Sequence, residues 1–319
     1  MKLRLFTIIV LMLTLAMSCS KKDDSGVSES NRPVIGVSLL TMTNPFFKDM
    51  GTAIKEEAEK NGYEVNLVAG EFDPAKQQNQ ISDFIVKNVA AILLCPTDSK
   101  AIGTSIAQAN EAGIPVFTAD IACTAEGAQV VSHVATNNYA AGRLAAQALI
   151  EALHGKGHIG IIDHPEVESV IMRTRGFEDE IKEQVEQNKA DIKIVAKLPG
   201  KGSKDIAFKA CEDMLQAHSN LNGIFAINDP SALGAVAAIE KAGRAGRIKV
   251  IGIDGQPEGR QAIRAGKIYA DVIQDPQEIG RKAVEAIVQY NAGEEVDAEI
   301  LIDTKIYRQE DALQDPTLK

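Results

Sequence analysis

The chain has 319 residues, of which 45% are hydrophobic, and this length predicts two globular domains. Its net charge of −10 at pH 7 argues against a nucleic-acid partner, because phosphate backbones are themselves negative. Four cysteines are few, and no CxxC motif or Cys/His cluster in the sequence indicates zinc, so we expect no cofactor. Pairing of Cys95 with Cys123 stays open.

The N-terminal segment has the organisation of an export signal. A short basic start, Met1–Arg4, precedes an apolar run ending at Met17 that is too short to span a bilayer comfortably. Cys19 follows small residues and resembles the lipobox of bacterial lipoproteins, in which the cysteine carries the lipid. We expect a signal peptide at 1–18, and a lipidated Cys19 and tether over 19–32. An ordinary cleaved signal with a chance cysteine is the alternative, and both place the mature chain outside the cytoplasm.

Apolar runs of strand length alternate with helical patterns along the rest of the chain. Asn44 suits an N-cap, Pro45 a first helical turn and Asn61–Gly62 a C-terminal cap. Strands are predicted at 34–40, 63–68, 91–94, 115–119, 130–135, 158–162, 192–196, 223–227, 249–253 and 268–273. Helices are predicted between them, among others at 45–60, 74–89, 99–112, 139–153 and 277–290. Val- and Ile-rich strands separated by helices predict parallel sheets covered on both faces, and their number predicts two α/β lobes.

Polar residues follow the predicted strands at the ends where ligands bind in such folds. The residues at or just past these ends are Asn44, Asp120, Asn228, Asp254 and Gln274. Amides and carboxylates form hydrogen bonds with neighbouring hydroxyl groups, so the set is typical of a pocket for a polyhydroxy compound.

Arg173 and the rings of Phe46 and Phe47 extend this set with fixed donors and flat apolar faces. Each residue also has a simpler interpretation: Asn44 as a helix cap, the aspartates as turn residues and Phe47 as helix core. Their joint position favours a site for a small neutral polyhydroxy ligand.

Six short motifs in order resemble those of a known family. They are Asn44–Phe47, Pro96–Ser99, Gly113–Val116, Arg173 with Gly176–Phe177, Asn228–Asp229 before Ala232–Gly234, and Gly252–Gly255. Over about residues 33–310 the chain resembles bacterial sugar-binding proteins of the ribose-binding type, which serve ABC importers. The resemblance implies an α/β fold of two Rossmann-like lobes with parallel sheets, joined by a three-strand hinge (periplasmic binding protein type 1).

The same resemblance implies domain limits and a ligand set. The N-terminal lobe is expected to comprise 33–135 plus 275–303, and the C-terminal lobe 136–274 plus 304–319. The implied ligand contacts are Asn44, Phe46, Phe47, Asp120, Asn138, Arg173, Asn228, Asp254 and Gln274.

Two positions depart from the ribose-binding pattern. Ribose binders have an arginine directly after the strand-end aspartate, where this chain has Ile121, and an aromatic residue in the loop that is 199–203 here. The missing donor and stacking face predict a ligand other than ribose: a polyol, a deoxy sugar, or a different pentose or hexose.

The sequence shows no pattern of a nucleophile, acid–base pair or metal site, so we expect a binding protein and not an enzyme. A signal peptide stands where sugar-responsive repressors have a DNA-binding domain. The expected protein is a monomeric lipoprotein of the periplasm or cell surface that delivers a sugar or polyol to an ABC permease. The alternative is a receptor subunit that docks on a sensor kinase or chemoreceptor.

Overall fold

The computed structural model describes residues 32–318. The predicted signal peptide, Cys19 and the tether up to residue 31 lie outside the described residues. None of the described helices combines the length and apolarity that crossing a bilayer requires.

Strands and helices alternate through most of the described chain. In chain order they are β1 (Val34–Leu39), α1 (Pro45–Lys60), β2 (Glu64–Ala69), α2 (Pro74–Val86), β3 (Ala91–Leu94), α3 (Gly103–Glu111), β4 (Val116–Ala119), β5 (His133–Thr136), α4 (Asn138–Ala152), β6 (Lys156–Asp163), α5 (Glu168–Glu186), β7 (Asp191–Pro199), α6 (Lys204–Ala217), β8 (Leu221–Ala226), α7 (Asp229–Lys241), β9 (Lys249–Asp254), α8 (Pro257–Arg264), β10 (Ala270–Ile273), α9 (Pro276–Asn291), β11 (Glu299–Ile302), β12 (Lys305–Arg308) and α10 (Gln309–Gln314).

The first sheet has the strand order β11-β5-β4-β3-β1-β2, and every pair is parallel. Successive residues of a strand point to opposite faces, so Leu93 packs in one cluster with Met50 of α1 and Ile279 of α9. Ile92 packs instead with Phe84 of α2, in a cluster that also contains α3. Both faces of the sheet are therefore covered by helices.

The second sheet has the order β12-β10-β9-β8-β6-β7. Its pairs are parallel except that β12 runs antiparallel to β10. The sequence predicted a parallel sheet, so this prediction holds for all pairs but one. Ile161 packs on the side of α4 and α5, whereas Ile162 packs on the side of α6 and α7. Two α/β lobes with mainly parallel sheets confirm the predicted fold class.

The chain passes between the two sheets three times: after β5, after β10, and in the segment 303–304 between β11 and β12. The sheets are therefore interleaved along the sequence and do not each use one continuous half. The exact lobe limits at 135, 275 and 303 stay predictions.

Two local predictions were wrong or incomplete. Helix α3 begins at Gly103 and not at residue 99, because Asp98 Oδ1 accepts hydrogen bonds from the N–H groups of Lys100 and Ala101 in a turn. Strands β11 and β12 were not predicted. Cys95, Cys123 and Cys211 are all free thiols, so the open question of a Cys95–Cys123 bridge is answered against it.

Candidate functional site

A cavity lies between the lobes, at the ends of strands from both sheets. It contains about 430 Å³ of atom-free space, counting the part open to solvent, which limits an occupant to a small molecule. The lining consists of Leu40, Asn44, Phe46, Phe47, Phe72, Asp120, Ile121, His164, Val167, Ser169, Val170, Arg173, Gly202, Ile227, Asn228, Asp254 and Gln274. Eight of the nine predicted ligand residues belong to this lining, and Asn138 is the exception.

Arg173 is fixed at the centre of the site. It projects from the buried face of α5 and is only 4% exposed. Its Nε donates to Asn138 Oδ1 (2.7 Å), Nη1 to the carbonyl of Ile227 (2.9 Å) and Nη2 to Gln274 Oε1 (2.9 Å). Asn138, the first residue of α4, therefore orients the guanidinium from behind and does not face the cavity itself.

Two carboxylates face this guanidinium. Asp120 Oδ1 is 3.9 Å from Arg173 Nη2, and Asp254 Oδ1 is 3.9 Å from Arg173 Nη1. Gln274 Nε2 also donates to Asp254 Oδ1 (2.7 Å). Both aspartates have positive φ, 63° and 133°, a conformation that L-residues seldom adopt outside functional sites and tight turns.

Charge in the cavity is unbalanced, with two carboxyl groups for one guanidinium. Burial raises the pKa of Asp120 to about 6 and that of Asp254 to about 7, although Arg173 acts in the opposite direction on both. Asp120 Oδ1 has no hydrogen-bond partner among the described residues. A ligand hydroxyl that donates to this oxygen would satisfy it.

The first lobe contributes an amide and two aromatic rings. Asn44 caps α1 by accepting from the Phe46 N–H with Oδ1 (3.0 Å), so the amide nitrogen is the group left to meet a ligand. The rings of Phe46 and Phe47 meet edge to face, with centroids 5.1 Å apart. The capping and core interpretations of these residues are therefore compatible with a place in the cavity wall.

The second lobe contributes Asn228 and the loop beside it. Asn228 caps α7 by accepting from the Ser231 N–H (3.0 Å), and its Nδ2 donates to the carbonyl of Gly202 (3.3 Å). Gly202 has φ +63°, and a Cβ there would lie 3.2 Å from Asn228 Nδ2. The loop at 199–203 thus closes the cavity with backbone and offers no aromatic face.

Several lining residues were not predicted. His164 directly follows β6 and Phe72 follows β2, so the same rule about strand ends would have found both. Burial lowers the pKa of His164, which keeps the ring neutral near pH 7. Ser169 and its apolar neighbours lie in the first turn of α5, where no sequence signal marked them. Within residues 32–318, no cluster of His, Cys, Asp or Glu is arranged to hold a metal ion.

The lobes touch directly beside the cavity. Ser99, in the loop after β3, donates its N–H to the carbonyl of Glu166 (3.1 Å). Its Oγ accepts from the N–H of Glu168, at the start of α5 (2.9 Å). We call these two hydrogen bonds the cross-lobe contact, and they belong to the closed arrangement of the lobes.

The fold and this site between the lobes agree with the comparisons to known families. A model of the periplasmic binding protein domain matches residues 35–295, and the chain belongs to that family. It is 32% identical to the ribose import binding protein of Bacillus subtilis strain 168 over 317 residues, which is 97% of this chain and 100% of that protein. The resemblance inferred from the motifs is thereby confirmed.

Solved structures give the same result. An ABC transporter periplasmic solute-binding protein from Actinobacillus succinogenes with bound D-allose superposes with a TM-score of 0.81 at 29% identity, over 89% of this chain and 100% of that one. An ABC transporter solute-binding protein from Bacillus halodurans with bound myo-inositol has a TM-score of 0.80 at 29% identity, over 90% and 98% of the two chains.

Proposed function

We propose that the protein is an extracytoplasmic solute-binding protein that captures a sugar or polyol between its lobes and delivers it to an ABC importer. The observation that carries the proposal is the cavity between the lobes in which Asp120, Asp254 and Arg173 converge beside the rings of Phe46 and Phe47. Carboxylates and a guanidinium bond neighbouring hydroxyls, while aromatic rings cover the C–H faces of a sugar. Such a site binds its ligand and releases it unchanged.

The ligand is a neutral polyhydroxy compound other than ribose. Ile121 and Gly202 stand in the cavity wall and supply neither a cationic donor nor a stacking face, which supports this selectivity. The D-allose and myo-inositol bound by the two solved relatives support the wider class of polyhydroxy ligands.

A thermal-shift screen followed by calorimetry tests the proposal. D-Allose, myo-inositol, D-fucose and D-ribose represent an aldohexose, a polyol, a deoxy sugar and the excluded pentose. A ligand at one hundred times its dissociation constant stabilises the protein by about 2.7 kcal/mol, which is a clear shift. Tight binding of ribose alone would contradict the selectivity. If no compound in a full panel of sugars and polyols shifts the melting temperature, sugar binding is contradicted altogether.

We also propose that Cys19 is lipidated and holds the mature protein, as a monomer, at the membrane in the periplasm or at the cell surface. The signal-like segment before it and the periplasmic family support this location. Stable anchoring requires more than one membrane-buried signal, so Cys19→Ala should move the protein to the soluble fraction. Cys123→Ala, a free thiol within the folded region, is the matched control and should stay with the membrane. A mature N-terminus elsewhere than Cys19 by mass spectrometry would refute the anchor.

A further inference from the structure

Two carboxyl side chains are buried just behind the cavity, in the second lobe. Asp229 begins α7 and Asp271 lies within β10, and they are 2% and 0% exposed. Neither belongs to the cavity lining. Buried carboxyl groups are costly unless they are paired and hydrogen-bonded, so their presence here calls for a role.

The two side chains lie side by side and both are bonded to one turn. Oδ1 of Asp229 and Oδ1 of Asp271 point to the same space beside Gly252, and neither has a hydrogen-bond partner among the described residues. Asp271 Oδ2 accepts from the N–H of Gly255 (3.0 Å), and Asp229 Oδ2 accepts from the N–H of Gln256 (2.5 Å). Two ionised carboxylates would leave both of these buried Oδ1 atoms without a donor, whereas one proton held between them satisfies both. The two amides held by the pair directly follow Asp254.

The surrounding backbone leaves space for this pair at two glycines. A Cβ on Gly259 would lie 2.3 Å from Asp229 Oδ1, a distance that no side chain tolerates. A Cβ on Gly252 would lie 3.0 Å from Asp271 Oδ1 and 3.5 Å from Asp229 Oδ1. The backbone at Gly252 and Gly259 thus lies closer to the two carboxyl groups than a residue with a Cβ atom could lie.

The electrostatics agree with a single shared proton. Burial raises the pKa of Asp229 well above its usual range, and the neighbouring charges of Asp271 and Asp254 raise it further. Burial also raises the pKa of Asp271, to about 6, while the bond from Asp229 and the charge of Arg260 oppose that rise. The pair therefore holds one proton and carries a single negative charge near neutral pH.

We propose that Asp229 and Asp271 are positioning residues that share one proton and clamp the turn after Asp254, so that the Asp254 carboxylate stays directed into the cavity. A non-glycine residue at φ 133° is strained and persists only where its surroundings hold it. The bonds to the amides of Gly255 and Gln256 supply that restraint. The proposal rests on the function proposed above, because Asp254 matters to binding only if the cavity takes a ligand.

Hydrogen exchange and calorimetry on the full chain test the clamp separately from the ligand. In Asp271→Ala, the amide of Gly255 loses its acceptor and should exchange at least about tenfold faster than in the wild type. Affinity for whichever of D-allose, myo-inositol and D-fucose the wild type binds should fall by roughly tenfold to a hundredfold. Asp229→Ala is the second disruptive variant if the first does not fold.

A conservative variant distinguishes positioning from general stability. In Asp229→Asn, the amide nitrogen donates to Asp271 and the amide oxygen accepts from Gln256, so exchange and affinity should stay near the wild-type values. Ile239→Val, which trims a buried side chain of α7, should lower the melting temperature without altering either quantity.

Each outcome decides the proposal. Unchanged exchange at Gly255 and Gln256 in the alanine variants would overturn the clamp. Faster exchange with unchanged affinity would overturn the positioning role. If Asp229→Asn is as impaired as the alanine variants, the shared proton is wrong. If the wild type binds none of these three compounds, the proposed binding function fails for these probes, and amide exchange alone supports or overturns the clamp.

Discussion

The guanidinium of Arg173 is held by three acceptors before any ligand arrives. Its contacts to Asn138, Ile227 and Gln274 fix the plane of the group, so little side-chain entropy remains to be lost on binding.

Replacement of Arg173 by alanine should weaken ligand binding by tenfold or more. The change leaves Asp120 and Asp254 buried without a counter-charge, and a lost bond to a charged group costs about 1.5–3 kcal/mol. Calorimetry measures the loss. Arg175→Ala is the matched control, because Arg175 lies on the same helix with its side chain 69% exposed. Equal affinities of the two variants would contradict the central role of Arg173.

Ligand capture should take up protons between about pH 4 and pH 7. Closure buries Asp120 and Asp254, and burial raises their pKa values to about 6 and about 7, whereas in open lobes both groups approach the ordinary aspartate pKa. The closed form then binds more protons than the open form, so affinity rises as the pH falls through this window and is weakest above it.

Calorimetry in two buffers with different heats of ionisation counts the protons taken up. Ile121→Arg adds a positive charge beside Asp120 and should reduce the uptake, whereas Ile121→Leu should leave it unchanged. Zero proton uptake by the wild type across this range would refute the linkage.

At the scale of elements, the site depends on how closely α4 and α5 approach. A Cβ on Gly142 of α4 would lie 2.0 Å from the carbonyl oxygen of Arg173, and one on Gly176 of α5 would lie 2.1 Å from the carbonyl of Tyr139. Both helices carry residues of the central network, Asn138 on α4 and Arg173 on α5. The spacing of the helices therefore sets the position of the guanidinium.

Gly142→Ala should push α5 away and lower both stability and affinity. Overpacking of a close contact typically costs about 1–3 kcal/mol, and here the displaced backbone belongs to Arg173 itself. Thermal unfolding and calorimetry measure the two effects. Lys182→Ala, at an exposed position of α5, is the control and should change neither. A stable Gly142→Ala protein with wild-type affinity would show that the spacing is not critical.

The strand-end rule explains which parts of the site were predictable. It found Asp120, Asn228 and Asp254, because each follows a buried strand whose apolar run is plain in the sequence. The strand-end rule did not find Asp271, because this residue lies inside a strand and the sequence does not show which groups it bonds in three dimensions. Asn138 was placed in the site but not as a support for Arg173, since only the packing of two helices brings them together.

The predicted fold followed from the alternation of strands and helices, and its gaps have a physical cause. β11 and β12 have only four residues each, with a charged residue at the start of β11 and at both ends of β12, and they are stabilised by pairing with β5 and β10. The early start predicted for α3 failed because Asp98 holds residues 98–101 in a local turn, and Ser99 within this turn takes part in the cross-lobe contact. The two missed strands, by contrast, depend on partners that are distant in the sequence.

For the whole molecule, the balance between open and closed lobes sets the apparent affinity. A ligand shifts this balance only through its greater affinity for the closed form. The cross-lobe contact adds to closure without touching the ligand, because Ser99 and Glu168 lie outside the cavity lining. A weaker cross-lobe contact therefore lowers the fraction of closed molecules both with and without ligand.

Ser99→Ala should favour the open form. The change removes the acceptor of the Glu168 N–H, worth about 0.5–1.5 kcal/mol, and affinity should fall by roughly twofold to tenfold through faster dissociation. Small-angle scattering should show a larger radius of gyration at subsaturating ligand. Ser82→Ala, an exposed serine bonded within α2, is the control. Identical scattering and dissociation rates for the two variants would refute the contribution of this contact.

The three passages of the chain between the sheets also bear on how the molecule is made. The edge strands β11 and β12 come from the last part of the sequence, and each completes a different sheet. Neither lobe has its full set of strands until almost the entire chain has left the ribosome. The last hydrogen-bonded ladders of both sheets are therefore completed late in the synthesis of this chain.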